Sequence, residues 1–170
     1  QIALMDSTAI VKWDCPNFFE LTERKFVGLR EDDNLRWVQE SIDGYKDVFD
    51  NYELDHTKYI NSGFMIFNEL HRDFFNSLKQ LYLDKKDTFI RLQDQDVRKG
   101  NDQTPVNYWL QINNIEMKLD LPMAYNLRHM NRKEMFGVNW QLKEDNRPYF
   151  LKYGYIWRFT GMPKDQRGDI

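Results

Sequence analysis

Residues 59–68, Tyr-Ile-Asn-Ser-Gly-Phe-Met-Ile-Phe-Asn, limit the possible folds more than any other stretch of the chain. Apolar residues dominate the run, which reads as a buried strand. Asn61-Ser62-Gly63 interrupts it. Polar groups in a buried strand cost free energy unless they are bonded. Gly there weakens the strand unless something must approach its backbone closely. The triplet therefore has two readings. It is a β-bulge whose polar groups bond internally, or it is one wall of a binding site.

The segments around this run give an α/β pattern. Ile2-Ala3-Leu4-Met5 and Ala9-Ile10-Val11 read as strands separated by Asp6-Ser7-Thr8. Asp14-Cys15-Pro16-Asn17 is a turn signal, followed by a short helix over Phe18-Phe19-Glu20-Leu21. Residues 22–58 read as one or two short helices carrying Trp37, Val38, Ile42, Tyr45, Val48 and Phe49. Leu70, Phe74, Phe75, Leu78, Leu81 and Tyr82 recur at three- and four-residue intervals, which predicts a helix with one apolar stripe and His71 on its solvated face. Residues 87–101 read as polar and irregular. Asp102 is placed as the N-cap of a helix with Pro105 in its first turn and Val106, Trp109, Leu110 and Asn113 at helical spacing. Ile115 to Leu121 reads as a strand ended by Pro122, residues 123–152 as loops, and Tyr155 to Phe159 as a last strand.

The chain of 170 residues is long enough for one domain with a real core, read here as a single unit over 1–170. Aromatic residues make up 15% of it, which argues against disorder. Charges of both signs are mixed and the net charge is -3, so there is no general attraction to nucleic acid or an anionic membrane. No apolar stretch is long enough to span a bilayer, and no signal peptide is seen. Cys15 is the only cysteine, which excludes an intrachain disulfide and fits a reducing, cytoplasmic setting. A start at Gln1, inside a strand, reads as a piece of something longer.

Four segments can carry chemistry. A carboxylate at a strand end, as at Asp6, with a second acidic residue two positions on is how a hard divalent cation is held, but here the second position is Thr8; the alternative is a turn between strands. Asn61 and Ser62 can serve ligand hydroxyl groups, with Gly63 letting the ligand near the backbone. Asp102 either caps its helix or, with Gln103, sits beside a reacting sugar. Arg158 either makes a surface ion pair or reaches a phosphate, with Gly161 turning the chain and Lys164 and Arg167 nearby. His56, His71 and His129 lack metal-ligand spacing, Cys15 reads as a partly buried thiol, and neither a GxSxG elbow nor a phosphate-binding glycine loop is present.

Taken in order, these segments resemble nucleotide-sugar-dependent glycosyltransferases of the A-type fold. Asp6-Ser7-Thr8 followed by Cys15-Pro16-Asn17-Phe18-Phe19-Glu20-Leu21 is similar to the region around that family's DxD motif. Asn61 to Asn68 resembles its NSG segment, Asp102-Gln103-Thr104-Pro105-Val106-Asn107 its DQ helix start, and Ile156 to Gly161 its closing His-Phe-x-Gly segment. The resemblance implies a mixed sheet flanked by helices, lacking the N-terminal nucleotide-binding half, which upstream sequence or a second chain would supply. It implies transfer of a sugar from a nucleotide-diphosphate donor to a glycan or other acceptor, usually with manganese or magnesium. By carry-over, Asp102 and Gln103 lie at the anomeric centre. Asn61, Ser62 and Gly63 line the sugar pocket, while Arg158, Gly161 and Lys164 lie near the diphosphate. Asp6 is the remaining metal ligand.

This chain departs from the family pattern where metal binds. Thr8 stands for the second Asp and Arg158 for the His, so weak or no metal dependence is expected. The alternative to an active enzyme is a non-catalytic remnant that binds sugar or a protein partner in a larger assembly. A third reading is a structural interaction domain joined through the sheet edge near Ile2 to Met5.

Overall fold

In a computed structural model of the chain, residues 1–31, 34–93, 102–128, 143–144, 147–148 and 154–159 are described. The strands are β1 (Ile2–Met5), β2 (Ala9–Val11), β3 (Phe26–Arg30), β4 (Ile60–Phe67), β5 (Met117–Lys118), β6 (Leu127–Arg128), β7 (Lys143–Glu144), β8 (Arg147–Pro148) and β9 (Ile156–Arg158). The helices are α1 (Leu35–Tyr45), α2 (Arg72–Asp84), α3 (Lys86–Gln93) and α4 (Gln103–Ile112). The residues gather in two units, Gln1–Leu4 with Thr22–Leu119, and Met5–Leu21 with Asp120–Ile170.

The first unit is a mixed sheet flanked by helices. Its strand order is β1-β4-β3-β5, with β3 antiparallel to β4 and parallel to β5. The fold class expected from the sequence is the one observed. At the centre lies β3, in a stretch where the sequence predicts one or two short helices and no strand. Phe26, Val27, Gly28 and Leu29 are all buried, so the strand shows a continuous apolar run and no alternation. Gly28 is required there by close approach: a Cβ at this position would lie 2.5 Å from Ile60 Cγ2.

Both α1 and α2 follow their apolar spacing. Asn34 caps α1 by accepting from the Trp37 amide at 3.0 Å, and Val38, Ile42 and Tyr45 face the core. In α2, Phe74, Leu78 and Leu81 are buried. Leu70 and His71 differ from expectation. Residues 69–71 form a 3-10 turn, whose tighter winding moves Leu70 out to 69% exposure and buries His71. His71 completes a capping box: its Nδ1 accepts from the Asn68 amide at 3.2 Å while Asn68 Oδ1 accepts from the Leu70 amide at 2.9 Å. Beyond α2, residues 86–93 are helical rather than irregular, with Phe89 buried against the core. β5 is shorter than the strand expected over 115–121.

In the second unit, β9 lies between β2 and β6, antiparallel to β2 and parallel to β6. β7 and β8 pair antiparallel. Phe18 packs edge-on to Tyr125, and Tyr125 packs on Tyr155. None of the helices among the described residues is long and apolar enough to cross a membrane.

Candidate functional site

The triplet in β4 is a bulge. Register with β3 runs Gly28 to Met65 and then Leu29 to Asn61, so Ser62, Gly63 and Phe64 are extra residues in β4. Part of its polar capacity is satisfied locally, since Asn61 Oδ1 accepts from the Gly63 amide at 2.9 Å. The rest reaches other segments. Asn61 Nδ2 donates to Glu31 Oε2 just past β3. The Ser62 amide donates to Gln103 Oε1 at 3.1 Å, and Ser62 Oγ donates to Asp102 Oδ2 at 2.8 Å. The triplet is thus a bulge that bonds partly to itself and partly to Glu31, Asp102 and Gln103.

Asp102 occupies the N-cap position of α4 but makes no side-chain capping bond. Its carboxylate turns to Ser62 instead, and the residue is exposed. Its second oxygen, Oδ1, accepts no hydrogen bond among the described residues. Gln103 beside it is buried, and its Nε2 has no hydrogen-bond partner among the described residues. The exposed Asp102 Oδ1, an acceptor without a partner among the described residues, is the complement of a hydroxyl group, which donates one bond.

The base of this cluster is rigid. Asn107, 1% exposed, clamps α4 to β4: its Oδ1 accepts from the Ile60 amide at 2.7 Å, and its Nδ2 donates to Ile60 O and Gln103 O, each at 2.8 Å. Tyr59 and Thr104 share a buried hydroxyl bond of 2.7 Å. Burial pushes the Tyr59 hydroxyl up to about 12, with Thr104 and the neighbouring Gln103 side chain opposing and the charges of Glu31 and Asp102 adding. Tyr82 donates to the backbone oxygen of Asp102 at 3.2 Å, and burial first, then the Asp102 charge, raises its hydroxyl as well. Glu31 and Asn107 carried no role in the sequence reading. Their alignment with Asn61 and Ile60 depends on strand register, which local sequence does not display.

In the second unit the structure joins Asp6 and Arg158. β9 places Arg158 opposite Ala9 of β2, and the guanidinium Nη2 lies 3.5 Å from Asp6 Oδ2. Thr8 donates its amide to Asp6 Oδ1 at 2.9 Å. Arg158 is 2% exposed, so it is a buried ion-pair member rather than a surface one. Burial of Asp6 opposes ionisation, but the bonds from Thr8 and the charge of Arg158 outweigh it and hold the carboxyl below the usual range. Among the described residues, no group of three or more His, Cys, Asp or Glu is placed to hold a metal ion. Gly161 and Lys164 lie outside the described residues.

The fold has a counterpart among solved structures. An apo structure of WbbM, a bifunctional glycosyltransferase, superposes on 96% of this chain with a TM-score of 0.50 at 15% identity. The fold is glycosyltransferase-like. The chain spans 29% of the WbbM chain. No family model matches the sequence, and no curated protein does.

Proposed function

We propose that this glycosyltransferase-like chain binds the sugar of a nucleotide-diphosphate donor at the β4 bulge and the start of α4, and transfers it to a glycan or other acceptor. The observation that carries this reading is the Ser62–Asp102 bond. A carboxylate in a capping position forgoes its helix and is held by the bulge serine, with one oxygen open among the described residues. Asp102 Oδ1 accepts from a sugar hydroxyl, Gln103 holds the Ser62 amide beside it, and Asn61 and Ser62 form the adjoining wall around Gly63. In transfer, the bond from the anomeric carbon to the diphosphate breaks and a bond to an acceptor oxygen forms, while the proton of the acceptor hydroxyl goes to the departing diphosphate or to solvent. The Asp102 charge favours the positive character that develops at that carbon.

Arg158, with Gly161 and Lys164, is proposed to serve a diphosphate, for which the guanidinium must leave its buried pair with Asp6, and dependence on manganese or magnesium is weak or nil. The donor set at Asp6 does not fit a divalent cation: it is one carboxylate engaged by the Thr8 amide and faced by a guanidinium. A guanidinium forks onto phosphate oxygens where a metal would otherwise screen them.

A second reading is a non-catalytic sugar-binding module. The Asp6–Arg158 pair favours it, because Asp6 is committed to that pair. One experiment separates the two. The chain is incubated with UDP-, GDP- and ADP-sugars, with and without manganese, while nucleoside diphosphate release and melting temperature are followed. Release that is lost in Asp102→Asn supports transfer. A rise in melting temperature without release assigns the binding module. Neither response with any donor overturns both.

A further inference from the structure

A groove of about 560 Å³ opens in the first unit along the C-terminal halves of α2 and α4. Neither Asp102 nor the β4 bulge lines it. Trp109 stands six residues beyond Gln103 on α4, about 9 Å along the helix axis. Phe49, Leu81, Trp109 and Ile112, all buried or half-buried, supply apolar lining. Asp50, Gln80 and Asp84, all exposed, supply polar lining, with Lys85 beside them.

The polar atom of Trp109 is already used. Its Nε1 donates to Ser77 Oγ at 2.9 Å, and Ser77 Oγ donates to Phe74 O at 2.8 Å. This relay fixes the ring and leaves its carbon surface for contact. Gln80 Nε2 donates to Asp84 Oδ1 at 2.7 Å, which holds the amide and the carboxylate together one helical turn apart. Gln80 Oε1 and Asp84 Oδ2 accept no hydrogen bond among the described residues.

Three classes of ligand can be weighed against this lining. A purely apolar ligand would desolvate the carboxylate rim without bonding it, which costs free energy. An anionic ligand, a nucleotide included, meets two carboxylates and one lysine, so its charge is opposed. A neutral saccharide has a C–H face that packs on the electron-rich indole and hydroxyls that donate to Asp84 and Gln80. The volume lies within the range of small-ligand sites.

We infer that this groove is a second carbohydrate site, one that takes a neutral saccharide of one or two rings through Trp109, Gln80 and Asp84. It is independent of the Asp102 cluster and stands whether or not that cluster acts on a donor. The test is saturation-transfer NMR on the whole chain with unmodified gluco-, galacto-, manno- and N-acetylhexosamine mono- and disaccharides. Saturation is expected on the ring C–H protons of at least one sugar. Asp84→Ala and Gln80→Ala, both surface changes, should each weaken its binding by about tenfold at unchanged melting temperature. Trp109→Phe should lower the signal, while Asp102→Asn should leave it intact. The inference is overturned if no saccharide gives a signal at tens of millimolar, or if binding survives both Asp84→Ala and Gln80→Ala. It is equally overturned if Asp102→Asn abolishes binding, since the sugar then sits at the β4 bulge.

Discussion

Ser62 Oγ donates to Asp102 Oδ2 at 2.8 Å across a separation of 40 residues, and the helix that Asp102 precedes goes without a side-chain cap. The bond joins the one irregularity in the β3–β4 ladder to the first turn of α4. Asp102→Asn should therefore separate function from stability. Donor binding or turnover should fall at least tenfold, while unfolding free energy changes by less than about 1 kcal/mol, because the carboxylate bears no capping bond and Asn is itself a good cap. Nucleoside diphosphate release and urea melts on the same preparation check this. A large loss of stability would show that the carboxylate is structural.

Asn107 is the opposite case. It is buried, supports the site from beneath through the backbone oxygen of Gln103, and satisfies both backbone groups of Ile60. Asn107→Ala should cost on the order of 3 kcal/mol, since each orphaned buried group costs about 1–3 kcal/mol. Urea denaturation measures it directly. A loss below about 1 kcal/mol would mean that water replaces the amide.

Asp6 gives an acid-range prediction. Its carboxyl is lowered in the folded chain, so its ionised form contributes stability that is present above the ordinary value of 3.8 and is lost as pH falls through the lower folded value. The melting-temperature gap between wild type and Asp6→Asn should be full at neutral pH and should narrow only below pH 3.8. A gap that does not change with pH would show that the Arg158 pair does not depend on the Asp6 charge.

His71 titrates in a different window. Burial lowers it from 6.5, against the charge of Glu69, so the unfolded chain takes up the proton first. The neutral form contributes stability that is present above 6.5 and is lost as pH falls below it. His71→Gln keeps an acceptor for the Asn68 amide but does not titrate. Its stability should stay flat from about pH 7.5 to about pH 5.5, where wild type declines. Equal slopes in thermal melts of the two proteins would remove His71 as the cause.

Much of the frame is written in local pattern. β1, β2, β4, α2, α4 and β9 each follow from periodicity or an apolar run bounded by polar residues. β3 does not, because a strand covered on both faces loses its alternation, and four buried residues between charged neighbours look the same in a helix or a strand. His71 misled for a related reason: one 3-10 turn before α2 rotates the face that a uniform helical period assigns.

The site divides along the same line. The sequence by itself determined which side chains are out of place: Asn61, Ser62 and Gly63 inside an apolar strand, Asp102 and Gln103 at a helix start, Asp6 and Arg158 at strand ends. For each it left two readings open, because a cap, a turn and a ligand contact use the same residue types. Tertiary structure decided which partners they took. Register between β3 and β4 sets the bulge and brings Glu31 to Asn61, Asn107 fixes α4 against β4 so that Asp102 meets Ser62, and pairing of β2 with β9 sets Arg158 against Asp6. These are contacts between segments distant in sequence, and hydrogen-bond geometry at that range is fixed only once the sheet and helices have packed.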